Sequence, residues 1–150
     1  MIVKAVLLVG ILLTPQYTPV TKYDPARDAV RDIKDAITEA QRTGKRILLE
    51  VGGEWCGWCH TLDRYFEANP KLTEFRDRNY ITVKVNWSPE NTNEKALSLY
   101  PPVNTYPFFF VLEKDGKLLK SQRTGVLEEG SSYKLDRFSG FLKQWAPPAK

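Results

Sequence analysis

The chain has 150 residues, 42% of them apolar and 27% charged, with 9 Gly, 10 Pro and 2 Cys. That suffices for one domain with a core of its own, and it excludes a disordered chain, a collagen-like chain and a small scaffold stapled by several disulfides. The net charge of +4 is scattered, with no basic run longer than two, so nucleic acid is not an expected partner.

Met1 to Leu13 reads MIVKAVLLVGILL, in which Lys4 precedes a nine-residue apolar stretch. This is the length of a signal-peptide core and too short for a stable membrane span. The polar stretch TPQYTP follows at once. Residues 1–19 are therefore expected to be a leader and linker, cleaved between Thr14 and Thr18 or retained. Residues 20–150 are expected to form the domain, periplasmic or otherwise exported, where disulfides form and persist.

Asp24-Pro25 predicts a helix start, with Asp as cap and Pro at the first helical position. Val30, Ile33, Ile37 and Ala40 continue it as one apolar stripe, and Gly44 ends it. Arg46 to Val51 (RILLEV) is short, apolar and bounded by glycine, so it predicts a buried strand in which Glu50 is the odd member. The segment TLDRYFEA after EWCGWCH predicts a helix ending at Asn69-Pro70. A short helix is expected over Leu72 to Arg78, a strand over Tyr80 to Asn86, and a helix over Asn93 to Tyr100. Phe108 to Glu113 and Leu118 to Gln122 predict a hairpin about Lys114-Asp115-Gly116-Lys117. Tyr133 to Trp145 predicts a last helix, stopped by Pro147-Pro148. This order implies an α/β layered fold with a mixed sheet.

The chemistry is concentrated in Cys56-Gly57-Trp58-Cys59, a C-x-x-C at a strand-to-helix junction. At a helix N-terminus the unpaired backbone N–H groups and the helix dipole stabilise a thiolate, the reactive form of cysteine. Cys56 is expected to be exposed and to attack a substrate disulfide. Cys59, one turn on, is expected to be shielded and to resolve the mixed disulfide. No other cysteine exists in the chain, so the pair cycles with itself or with a partner.

The segment LLEVGGEWCGWCH resembles the active-site strand and loop of the thioredoxin superfamily. The likeness covers roughly residues 26–146, with an N-P break after the helix, a V-x-V-N strand and a Y-P before an apolar strand. It is similar in particular to periplasmic thioredoxin-like proteins and to the C-terminal domain of the transmembrane thiol–disulfide reductase. The resemblance implies a three-layer fold, a central mixed sheet flanked by helices, and a thiol–disulfide oxidoreductase acting on protein thiols and disulfides. It points to a reductant supplied by a membrane electron donor. No cofactor is implied, because the cysteine pair is itself the redox centre.

The resemblance also assigns roles residue by residue. Glu50 matches a buried acid that takes the proton as Cys59 becomes nucleophilic; its other reading is an edge-strand glutamate facing water. Lys84 matches a lysine beside that acid. Trp55 matches the tryptophan packed beside the active site, and Trp55, Gly57, Trp58, Tyr106 and Pro107 are the expected substrate-binding residues. Pro107 matches the family's cis-proline, which would leave the Tyr106 backbone free to pair with an extended substrate. Gly125 matches a glycine whose backbone approaches the active-site surface. Trp58 and His60 depart from the usual residues. Gly52 and Gly53 replace bulkier ones, which would loosen the approach to the site. The stretch Asn86 to Asn93 (NWSPENTN) reads as an insertion, either a partner-binding loop or plain surface.

Two rival readings use the same residues. Cys56 to His60 is literally C-x-x-C-H, the c-type haem attachment pattern, with His60 as an axial ligand. The chain's one Met is Met1 and its one His is His60, which leaves no usual distal ligand. For zinc, Cys56, Cys59 and His60 supply three ligands where structural sites take four, so no metal is expected. A non-catalytic thioredoxin-fold binding module is the remaining alternative, and it gives no reason to keep both cysteines.

Overall fold

The computed structural model describes residues 16–149. The leader read in residues 1–13 therefore lies outside the described residues. Five helices and six strands follow one another as α1 (Ala29–Thr43), β1 (Arg46–Gly52), α2 (Gly57–Ala68), α3 (Pro70–Asn79), β2 (Tyr80–Asn86), α4 (Glu94–Leu97), β3 (Phe108–Leu112), β4 (Leu118–Arg123), β5 (Glu128–Glu129), β6 (Ser132–Tyr133) and α5 (Leu135–Gln144). A single 3-10 turn, Thr124–Leu127, joins β4 to β5.

The main sheet has the order β2-β1-β3-β4. Strand β1 runs parallel to β2 and antiparallel to β3, and β3 pairs antiparallel with β4. The sheet is thus mixed, as expected. Strand β1 is internal and covered on both faces, which is why RILLEV reads as an unbroken apolar run. Its odd residues Ile47, Leu49 and Val51 join Ile81, Val83, Val85, Phe108, Phe110 and Leu112 in a core under α1. On the other face Leu48, Tyr80, Phe109 and Val111 pack with Leu62, Phe66, Phe138 and Leu142 from α2 and α5. Period-two alternation puts Glu50 and Gly52 on this second face, toward α2.

Four boundaries differ from expectation. Asp24-Pro25 forms a turn, with the Arg27 N–H donating to the Asp24 carbonyl. The helix starts later, because the Asp28 side chain caps it by accepting from the Val30 N–H at 2.9 Å. Its buried face carries Ala29, Asp32, Ile33, Ala36 and Ala40. Gly44 ends it in the left-handed region at φ 74°. The short third helix begins at Pro70, two residues before Leu72, since proline suits a first helical position. The expected helix over Asn93 to Tyr100 shrinks to α4; the Leu99 and Tyr100 N–H groups bond three residues back, as Pro101 disfavours the α region at Tyr100. At the C-terminal end Tyr133 is not helical. Gly130, at φ 61°, turns the chain so that Glu128 pairs with Tyr133 in the small β5–β6 hairpin.

The expected insertion Asn86 to Asn93 is an internal latch. Asn93 donates to the Asn86 carbonyl at 2.7 Å and accepts from the Ala29 N–H at 3.1 Å. Asn91 donates to the carbonyls of Pro25 and Arg27. The segment ties the end of β2 to the start of α1. Upstream, Val20 bridges Val83 in parallel and its carbonyl accepts from the Lys84 N–H at 3.1 Å. No helix among the described residues is long and apolar enough to cross a membrane.

Candidate active site: a cysteine pair at the head of a helix

Strand β1 ends at Gly52, and the chain turns through Gly53 to Trp55 into α2. Cys56 is the N-cap of that helix, and its sulfur accepts from the Cys59 N–H at 3.1 Å. The two cysteines are joined as a disulfide, with Cα atoms 5.2 Å apart. The first cysteine thus stands where a helix N-terminus favours negative charge on sulfur.

The expectation of an exposed Cys56 is corrected by the structure. Cys56 is 4% exposed and Cys59 is fully buried. Tyr23 forms one buried cluster with the two cysteines, and the partly buried Trp58 and Tyr106 pack against it. The asymmetry between the two residues survives, but Cys56 keeps only a trace of exposure.

Glu50 lies 1% exposed in the internal strand β1, so the edge-strand reading fails. The parallel register sets Lys84 directly opposite Glu50. Lys84 Nζ is 3.7 Å from Glu50 Oε1 and 2.5 Å from Asp63 Oδ1 on α2. Burial raises the Glu50 pKa above the ordinary carboxylate value, and Lys84 and a hydrogen bond from Tyr23 act against that rise. Tyr23 donates to Glu50 Oε1 at 2.5 Å. Its phenol is held well above its usual pKa, by burial first and then by the Glu50 carboxylate.

Both glycines ahead of the motif tighten the site, contrary to expectation. A side chain at Gly52 would strike Cys59 Sγ and lie 2.9 Å from the Tyr23 hydroxyl; one at Gly53 would strike Trp55 and the Trp87 carbonyl, the latter at 2.9 Å. Their missing Cβ atoms let these groups close in.

Of the expected substrate-binding residues, Trp58 and Tyr106 pack against the cysteine cluster. Trp55 is 53% exposed. Its indole N–H donates to the Trp87 carbonyl at 2.8 Å, and the Trp87 N–H donates to the Gly52 carbonyl at 2.7 Å. Trp55, Trp87 and Tyr106 form one aromatic group, with ring centroids 5.3 to 5.9 Å apart. The Tyr106–Pro107 peptide bond is cis. The Pro107 carbonyl accepts from the Thr124 hydroxyl at 2.7 Å, which brings the Thr124–Leu127 turn, with Gly125, beside it. Gly57 is the first helical residue, with open space around its Cα. Trp58 meets Tyr133 edge to face at 5.6 Å. His60 Nε2 lies 2.6 Å from the Glu54 carbonyl, so the atom a haem iron would need is already engaged. Among the described residues no three His, Cys, Asp or Glu side chains are grouped to hold a metal.

Sequence reasoning missed Tyr23, Asp63 and Trp87. Tyr23 and Glu50 are 27 residues apart, and no motif or periodicity connects them.

A thioredoxin-like protein with a disulfide-forming cysteine pair at a helix head is the class that this fold and site define. The sequence profile of thioredoxin-like proteins matches residues 28–114, and the chain belongs to that family. It is similar to the thiol:disulfide interchange protein DsbE of Pseudomonas aeruginosa, 30% identical over 96 residues, covering 61% of this chain and 50% of that protein. The chain thus spans about half the length of that curated relative. Among solved structures, a disulphide isomerase from Xylella fastidiosa Temecula1 superposes with TM-score 0.70 at 27% identity, over 81% of this chain and 94% of that one. The oxidised C-terminal domain of DsbD from Neisseria meningitidis shares the fold, with TM-score 0.58 at 19% identity over 79% of this chain and 96% of that domain.

Proposed function

We propose that this protein reduces disulfides in exported proteins by dithiol–disulfide exchange, with a leader in residues 1–19 directing export of the domain at 20–150. Cys56 is the attacking sulfur and Cys59 the resolving one. Glu50 accepts the proton that Cys59 gives up. Trp55, Gly57, Trp58, Tyr106 and Pro107 receive the substrate, and a membrane partner returns electrons to the pair. The observation that carries this reading is the closed Cys56–Cys59 disulfide at the head of α2, with a buried carboxyl behind it.

The reduced Cys56 thiolate, favoured by the helix N-terminus, attacks one sulfur of a substrate disulfide and displaces the other as a thiolate, which takes a proton from water. Cys59 then loses its proton and attacks Cys56, which re-forms the intramolecular bond and frees the second substrate sulfur. Two electrons pass to the substrate. Of the two cysteines only Cys56 keeps any exposure, which supports this order of roles. The raised pKa of Glu50 suits a group that must take a proton from a thiol near neutral pH.

Insulin reduction in the presence of a thiol reductant tests the reading. Native protein is expected to accelerate it, Cys56→Ser to abolish the acceleration, and Cys59→Ser to accumulate mixed disulfide. Equal turnover by native protein and Cys56→Ser would refute it. The potential of the couple tests the direction: a value near about −270 mV supports a reductant, and one near about −120 mV makes the protein an oxidant.

A further inference from the structure

We propose that the Tyr23 hydroxyl carries the proton between Cys59 and Glu50, so that resolution runs through a phenol standing between the thiol and its acid. The inference rests on the roles given above to Cys59 and Glu50. The strand geometry creates the need for it. Glu50 and Gly52 sit on the same face of β1, two residues and about 7 Å apart, and Cys59 Sγ packs over Gly52. Among the described residues Glu50 makes no hydrogen bond to either sulfur; its short bond is the one from Tyr23, at 2.5 Å. The Tyr23 hydroxyl lies over the same Gly52 position that Cys59 Sγ occupies, 2.9 Å from where a Cβ would stand. Tyr23 is 3% exposed and belongs to one buried cluster with Cys56 and Cys59.

In the mixed disulfide Cys59 is a thiol. Its proton passes to Tyr23 Oη as the Tyr23 proton passes to Glu50. The Cys59 sulfur, now anionic, bonds to Cys56 Sγ. The bond from Cys56 to substrate breaks, and the substrate leaves as a thiolate that takes a proton from water. Tyr23 begins and ends as a phenol. Burial and the carboxylates of Glu50 and Asp63 disfavour its phenolate, so the two transfers are concerted. The groups facing Tyr23 are Glu50 on β1, Lys84 on β2, Asp63 on α2 and Tyr133 on β6, and Arg76 on α3 adds its charge at Glu50. Lys84 Nζ sits 4.7 Å from the centre of the Tyr23 ring. Glu50, Lys84 and Asp63 line a cavity of about 700 Å³ beside β2.

Rapid-quench single-turnover kinetics with a reduced protein and a disulfide-linked peptide separate formation of the mixed disulfide from its resolution. Tyr23→Phe keeps the ring and removes the hydroxyl. It is expected to leave formation unchanged and to slow resolution about a hundredfold. Its resolution rate should rise with pH where that of the native protein is flat. Glu50→Gln should slow resolution to a similar degree, and the double variant should be no slower than the slower single one. Resolution by Tyr23→Phe at the native rate, with Glu50→Gln slow, would overturn the relay and leave the role of Glu50 standing. Native rates in both would remove the role of Glu50 as well. Multiplied losses in the double variant would mean two separate effects and would also overturn the relay. Should Tyr23→Phe fail to fold, resolution by the native protein in mixtures of light and heavy water decides: a curved dependence on deuterium fraction reports two protons in flight, and a straight line overturns the proposal.

Discussion

Substituting Gly52 by alanine puts one methyl group into the tightest place in the site. That carbon would collide with Cys59 Sγ, lie 2.9 Å from the Tyr23 hydroxyl oxygen and 3.0 Å from its ring carbon. Neither neighbour is free to turn away. Cys59 is held by the disulfide, and Tyr23 by its bond to Glu50. The strand cannot shift easily either, because Gly52 is in register with Asn86 and its carbonyl accepts from the Trp87 N–H. Overpacking of this kind costs about 1–3 kcal/mol, and the fixed neighbours place this site in the upper half of that range. At about 3 °C per kcal/mol for a domain of this size, the oxidised protein should melt about 6–9 °C lower. The loss should be smaller in reductant, where the Cys59 side chain can rotate, and the disulfide of the variant should therefore be easier to reduce. Gly140→Ala is the control. Gly140 lies inside α5 with nothing within 4 Å of an added Cβ, so alanine there should stabilise by about 1 kcal/mol. Thermal melts and urea titrations of both variants, oxidised and reduced, measure the difference. An oxidised Gly52→Ala protein melting with the native one would refute the reasoning.

Three further outcomes follow from the same geometry. Glu50 has a folded pKa above its ordinary value of 4.5 because of burial, so between that value and the folded pKa the native state holds a proton that the unfolded chain has lost. The stabilisation linked to that proton is full below pH 4.5 and is lost as pH rises through the folded pKa. Urea midpoints of Glu50→Gln should accordingly gain on those of the native protein as pH increases from that value, and a pH-independent difference would contradict the assigned burial. Phe138 is fully buried and packs against Tyr65, Phe66, Phe109 and Tyr133 at centroid distances of 5.2 to 6.0 Å. Phe138→Ala should cost about 3–5 kcal/mol in a urea titration, and a loss below about 1 kcal/mol would place the second core elsewhere. Asp28→Ala removes the cap of α1 and should cost about 1 kcal/mol; equal stability would show that the cap bond does not hold the helix start.

The local half of this protein could be read from its residues. Strand β2 falls on the expected Tyr80–Asn86, because alternation has a period of two and needs no partner to be seen. Gly44 ends α1 and Cys56 opens α2 for reasons that lie within a few residues of each. The cysteine pair, its place at a strand-to-helix junction and the layered α/β class were all legible in this way. Short-range geometry carries that information, since caps, turns and periodic faces are settled by neighbours in sequence.

The tertiary structure alone decided what the pair is surrounded by. An acid in RILLEV is compatible with an edge facing water, and only the placement of β1 between β2 and β3 buries Glu50. The two glycines suggested slack, whereas the folded chain uses their bare backbones to press Cys59, Tyr23 and Trp55 together. Cys56 keeps only a trace of exposure in a cluster with Tyr23, Trp58 and Tyr106, and the hydrogen bond from Tyr23 to Glu50 joins positions 27 residues apart. Tyr133, which continues the apolar pattern of α5, is drawn instead into a strand because its ring packs on Trp58, Tyr65 and Phe138. Such contacts are set by how whole elements stack, and burial fixes them only once the two faces of the sheet have been covered.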